Sequence, residues 1–217
     1  MAPDTVAWPR PRALLLDAMG TLIGLRASVG TTYAEVAARH GLQVEPDAID
    51  RRFPDVLRAA PPLAFPAQEE SALAAAELGW WAERIDEVLI AAGGDPAPAD
   101  LHQELFELYA DPGRWRVYDD VAACLPRWRK QGLRLGVVSN FDRRLEGVLE
   151  GLGLAPLIDV VVVSSRCGAA KPSARPFLQA LATLEVEPSE AWHVGDSPED
   201  ASGARAAGLP CLLVRRP

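Results

Sequence analysis

The sequence predicts an α/β protein: a three-layer parallel sheet with helices on both faces and an all-helical segment inserted after the first strand. Three observations carry that expectation. Short, continuously apolar runs recur at 13–18, 133–139, 158–165, 191–195 and 210–214, the pattern of strands covered on both faces. Helical patterns separate the later runs, and repeated strand–helix alternation points to a parallel sheet. Between about 26 and 115 almost no strand-like run is found.

The first strand is ALLLDA, ending on Asp17 and Ala18. Ser28–His40 reads as a helix, with Ser28 as N-cap and Gly41 as its stop. Glu69–Ala92 is long, rich in Ala and Glu, and amphipathic; Ala99–Ala110 is another helix. Pro61, Pro62 and Pro66 break the chain between helices, as do Gly93-Gly94-Asp95-Pro96 and Asp111-Pro112-Gly113. In the second half, helices are expected at Val121–Lys130, Arg143–Gly151, Arg175–Leu184 and Glu199–Ala207, the last stopped by Gly208. The expected division is a core of residues 1–25 and 115–217, with 26–114 as the helical subdomain.

Composition narrows the function classes. The 217 residues are 49% apolar and 24% charged, with a net charge of −8 and no Lys/Arg-rich run. Nucleic-acid and anionic-membrane roles are therefore disfavoured. No apolar run reaches the roughly 18–20 residues of a membrane span. The opening MAPDTVAWPRPR lacks a signal-peptide core and reads as a short Pro-containing arm. Cys124, Cys167 and Cys211 are scattered, as expected of free structural thiols in a reducing cytoplasm. Oligomeric state is not legible.

In open parallel sheets, ligands bind beyond the carboxyl ends of the strands. The notable polar residues occur there. Asp17 ends the first strand, Ser139 and Asn140 end the second, Lys171 follows the third by a short loop, and Asp196 ends the fourth. Trp80 and Trp81, inside the long helix, read as packing residues rather than a pocket lining. His193 lies inside a strand and reads as structural, and Asp142 as a cap of the next helix. No metal-ligand spacing links the three histidines.

The stretches LLLDAMGTLI, GVVSNFDRRL, AAKPSARPF and HVGDSPEDASGARAAG, in this order, resemble the motifs of the haloacid dehalogenase superfamily. The helical insert after the first motif resembles its subfamily I, with a helical cap of the C1 type on a Rossmann-like core. SNFDRRLEGVLEGLGL further resembles a branch of largely uncharacterised hydrolases.

The resemblance implies that Asp17 is a nucleophile forming a covalent intermediate that water hydrolyses. Ser139 would hold a phosphoryl or carboxylate oxygen, and Lys171 would pair with Asp17 and with substrate charge. Thr21 and Asn140 would shape or touch the substrate site, and Arg26 would grip an anion at the cap entrance. A Mg²⁺ ion would take Asp17, the backbone carbonyl of Met19 and Asp196, with Asp200 as second ligand or supporting acceptor.

Met19 is the departure. Phosphatases of this superfamily resemble D-x-D-G-T, whose second Asp carries the leaving-group proton; here Asp17-Ala18-Met19-Gly20-Thr21 puts a thioether there. Such proton transfer is typically worth about 10²–10⁴-fold. Three readings follow. One is a Mg²⁺-dependent phosphatase of a small phosphorylated metabolite, slow or suited to leaving groups that need no proton. Another is a 2-haloacid dehalogenase-like enzyme, since halide leaves unprotonated. The third is a degenerate binding protein.

Overall fold

The computed structural model describes residues 10–67 and 69–216. The expected N-terminal arm falls mostly at residues 1–9, outside the described residues. Strand β1 (Ala13–Leu16) is followed by a short strand β2 (Ile23–Leu25) and four helices: α1 (Val29–Arg39), α2 (Pro46–Ala59), α3 (Glu70–Ala91) and α4 (Ala99–Leu108). The chain returns through β3 (Trp115–Val117). It then alternates α5 (Asp119–Lys130), β4 (Arg134–Ser139), α6 (Arg144–Gly151), β5 (Val160–Val163), a short α7 (Ser164–Cys167), α8 (Arg175–Leu184), β6 (Ala191–Gly195), α9 (Pro198–Ala206) and β7 (Cys211–Leu213).

The five long-range strands form one parallel sheet in the order β5-β4-β1-β6-β7. The strand period of two explains why it is covered twice. Leu14 and Leu16 of β1 pack with Val121, Leu125, Leu145 and Val148 from α5 and α6. Ala13 and Leu15 point the other way, to Phe177, Leu181 and Ala204 from α8 and α9. Strand order reverses at β1, which lies between β4 and β6. The carboxyl ends of these three strands therefore meet at one crevice, the place where such sheets bind ligands.

Helices α1 to α4 have a separate apolar cluster around Tyr33, Val36, Ile49, Ile85, Leu89 and Leu105. Ser28 caps α1 by accepting from the Thr31 N–H at 3.0 Å. Helix α2 was not expected. Ile49, Phe53, Val56 and Leu57 do recur at helical spacing, but Pro54 sits among them and reads as a helix breaker. Pro46 begins the helix, where the missing N–H costs nothing. Strands β2 and β3, three residues each, pair antiparallel where the chain leaves the sheet for the helices and returns. The run at 158–165 also ends earlier than its pattern suggests: Ser164 and Ser165 turn into α7. Among the described residues no helix is long and apolar enough to cross a membrane.

Candidate active site

Asp17 follows directly from β1 and is buried. Its N–H donates to the Val194 carbonyl of the neighbouring strand at 2.9 Å, which fixes the backbone. One carboxylate oxygen, Oδ1, accepts from Ser139 Oγ at 3.0 Å and from Lys171 Nζ at 2.6 Å. No described residue donates to Oδ2. The carboxylate is thus oriented through one oxygen while the other is left to act.

Lys171 Nζ also donates to Asp200 Oδ1 at 2.6 Å. Burial works against its charge, but Asp17 and Asp200 outweigh that penalty and its pKa is raised. Asn140 pins the lysine from outside. Its Nδ2 donates to the Lys171 carbonyl at 3.0 Å, and its Oδ1 accepts the Lys171 N–H at 2.7 Å. The Asn140 amide holds the lysine loop at both atoms, while a second Nδ2 hydrogen remains on this exposed residue.

Asp200 is fully buried and saturated. Oδ1 faces Lys171 and lies 2.8 Å from His193 Nε2. Oδ2 accepts from the Asp196 and Ser197 N–H groups and from Ser197 Oγ at 2.7 Å. Burial opposes ionisation of Asp200, yet the His193 contact and the lysine charge hold its pKa below the usual carboxylate range. It is a supporting acceptor, with no lone pair left over for a cation in this arrangement. His193 is the residue that the sequence pattern concealed. It lies inside β6, fully buried, edge-on to Phe177 at 4.8 Å. A histidine in a strand reads as core; its role shows only once α9 folds Asp200 back beneath it.

Asp196 is exposed at the end of β6. Desolvation, then the charges of Asp17 and Asp200, raise its pKa to about 6. Oxygens of Asp17, Asp196 and Asp200 lie within 4.8 Å of one another. Three carboxylates against one lysine leave excess negative charge, and hard oxygen donors suit Mg²⁺. The residues present therefore fit a divalent cation, with Asp17 and Asp196 as the free donors.

Two glycines allow this crowding. A Cβ on Gly20, whose φ is +81°, would meet Asp196 Oδ2 at 2.2 Å. At Gly195 it would meet Asp200 Cγ at 2.3 Å. Next to Gly20, Thr21 is buried with its hydroxyl unpartnered among the described residues, while its carbonyl accepts from Arg216. Arg26 is exposed and lines an open depression with Arg116, Tyr118 and Arg216. The structure does not bring it to the Asp17 cluster, because β2 carries the chain away before Arg26.

Met19 is 43% exposed, unusual for a residue two places from a buried acid. It lines an apolar cavity between the sheet edge and the helices. Trp81 lines that cavity too, so it is more than packing: its Nε1 donates to Asp142 at 2.7 Å. Asp142 is also paired with Arg144, at 2.8 Å and 2.6 Å, beyond its N-terminal contact with α6. Trp80 stays outside, donating to the Pro61 carbonyl.

Comparison with known proteins agrees with this geometry. A family model for haloacid dehalogenase-like hydrolases matches residues 11–208. The chain is 38% identical over 216 residues to haloacid dehalogenase-like hydrolase domain-containing protein 3 of Bos taurus, covering 95% of this chain and 82% of that protein. The fold is similar to CbbY from Rhodobacter sphaeroides in complex with phosphate (TM-score 0.68, 24% identity, 95% and 87% of the two chains). It is also similar to L-2-haloacid dehalogenase from Xanthobacter autotrophicus (TM-score 0.66, 22% identity, 94% and 77%). With the Asp17 strand end, the lysine loop and the acidic loop all within the matched span, the chain belongs to the haloacid dehalogenase-like hydrolases.

Proposed function

We propose that the protein is a Mg²⁺-dependent phosphatase acting on a small phosphorylated molecule, with Asp17 as nucleophile. The supporting observation is the acidic edge: Asp17 and Asp196 leave free oxygens beside a single lysine, which favours a cation and a phosphoryl group over a halide-only reaction. The helices over 26–114 act in this reading as a cap that closes the crevice and excludes water.

Asp17 Oδ2 attacks phosphorus, forming a P–O bond while the ester P–O bond breaks and its electron pair leaves with the substrate oxygen. Ser139 and Lys171 hold the nucleophile through Oδ1, and the third N–H of Lys171, beyond those to Asp17 and Asp200, is left to donate to a phosphoryl oxygen. Water then attacks the aspartyl phosphate; the bond to Asp17 breaks, phosphate departs and the carboxylate is regenerated. Mg²⁺, held by Asp17, Asp196 and the Met19 carbonyl, would neutralise charge on the phosphoryl group. Asp200 and His193 touch no substrate; they fix Lys171. Met19 offers no proton, so the leaving oxygen must depart as an anion.

The same feature favours a second reading, dehalogenation of a 2-haloacid, which also needs no proton at that place. The test is phosphate release from acetyl phosphate and chloride release from 2-chloropropionate, each with Mg²⁺ or EDTA. Mg²⁺-dependent phosphate release, lost in Asp17→Asn, supports the phosphatase. Chloride release indifferent to EDTA would overturn it.

A further inference from the structure

The apolar cavity beside Met19 bears on the substrate, granted the phosphatase reading. Met19 and Phe141 each follow a site residue, Asp17 and Ser139, by two positions, and both line it. Tyr33, Trp81, Phe106 and Trp115 supply much of the rest from the helices and β3. Most polar groups at its walls are already committed; the buried Tyr109 hydroxyl has no partner among the described residues. Trp81 Nε1 goes to Asp142, Trp115 Nε1 to the Tyr109 carbonyl at 3.1 Å, and Arg144 to Asp142 and the Phe106 carbonyl at 2.6 Å. The Arg144 Cζ lies over the Phe106 ring at 3.7 Å from its centroid, so this charge is engaged with a wall ring.

A carboxylate, a second phosphate or a run of sugar hydroxyls placed here would lose its water and find no free cation, only a neutral tyrosine hydroxyl, at a cost of several kcal/mol. An aromatic ring would lose nothing and gain edge and face contacts. The cavity measures about 110 Å³. An apolar cavity of about 150 Å³ holds benzene, so a single ring enters once the flexible Met19 side chain gives way.

Leaving-group chemistry points the same way. A phenol ionises near pH ~10, as tyrosine does, whereas an aliphatic alcohol stays close to water, at about 15.7. An aryl oxygen can therefore depart with the electron pair of the P–O bond and take its proton later from solvent. An alkoxide could not do so readily without the acid that Met19 replaces.

We infer that the substrate is a phosphate monoester of a compact aryl group, its ring seated between Met19, Phe141 and the aromatic residues of the helices. The experiment compares kcat/KM for phenyl phosphate, 2-phosphoglycolate and acetyl phosphate, with Asp17→Asn as blank. Phenyl phosphate should exceed 2-phosphoglycolate by about 100-fold, the equivalent of an unpaired buried carboxylate. Leu57→Trp, which fills the cavity from its wall, should lower the ratio of phenyl to acetyl phosphate turnover by about tenfold. Acetyl phosphate hydrolysis with 2-phosphoglycolate matching phenyl phosphate, or an unchanged ratio in Leu57→Trp, would overturn the aryl assignment and leave the phosphatase standing. No Asp17-dependent phosphate release from any of the three would overturn the phosphatase itself.

Discussion

Met19 and Asp200 define the site at the scale of single residues. In the proposed reaction, Met19 leaves Asp17 and the acidic edge intact and stands where a proton carrier would otherwise be. Met19→Asp is expected to raise kcat for benzyl phosphate, whose leaving oxygen is aliphatic, by at least about tenfold. Steady-state assays with benzyl and phenyl phosphate measure this, and phenyl phosphate should gain less. Asp200 is the hub of a buried network, Asp17–Lys171–Asp200–His193. Asp200→Ala strips Lys171 and His193 of one partner in a dry environment. Losing a buried charge partner typically costs about 3–5 kcal/mol, which denaturant unfolding would read as a lower midpoint. That Asp17, Ser139 and Lys171 would come together could be anticipated because Asp17 and Ser139 lie at strand ends and Lys171 follows β5 by a short helix and loop. The role of His193 could not, since its meaning depends on a contact made by the following helix.

The helical elements are tied to the sheet through polar contacts that no pattern announces. Glu77 of α3 is fully buried; it accepts from Arg143 Nε at 2.9 Å and Ser165 Oγ at 2.6 Å. Asp142 joins Arg144 to Trp81, and the Ser164 hydroxyl donates to the Leu63 carbonyl at 2.6 Å. Asp142→Ala leaves the Arg144 charge and the Trp81 N–H without their shared acceptor. It should cost about 3–5 kcal/mol and speed amide exchange in α3 and α6 more than in β1 and β4. By contrast, Ser28→Ala removes one exposed cap bond. It should cost about 1 kcal/mol, a shift in Tm of about 2–4 °C for a chain this long. Helix α1 was legible because its cap, length and stop all agree. Helix α2 was not, because Pro54 interrupts an otherwise amphipathic pattern and packing against the neighbouring helices is what tolerates it.

Charge at the sheet edge sets a pH dependence for the whole molecule. The Asp196 pKa in the folded chain, about 6, lies above its ordinary 3.8. The folded state therefore favours the protonated form. The stability this contributes is fully present below about pH 3.8 and is lost as pH rises through about 6. Above that range the ionised cluster disfavours the fold, and a cation held between Asp17 and Asp196, as proposed, would offset that. Millimolar Mg²⁺ should accordingly raise Tm more at about pH 7.5 than at about pH 5. An equal shift at both, or none, would count against a cation between Asp17 and Asp196. Differential scanning fluorimetry measures it without any substrate.

By itself the sequence determined the parallel sheet, the helical segment between its first and later strands, and the carboxyl-end placement of Asp17, Ser139, Lys171 and Asp196. Those features follow from local physics: apolar runs that need cover on two faces, and polar residues at the ends of such runs. It also exposed Met19 as the missing acid. Tertiary structure alone decided the rest. It turned Asp200 inward to Lys171 and His193, placed both ends of the Asn140 amide on the lysine loop, and carried Arg26 away from the site. It also set an aromatic-walled cavity against Met19. Each of these depends on how separate elements pack, as where Asp200 meets Lys171 29 residues away and Asn140 meets it 31 residues away, and no local periodicity encodes such a meeting.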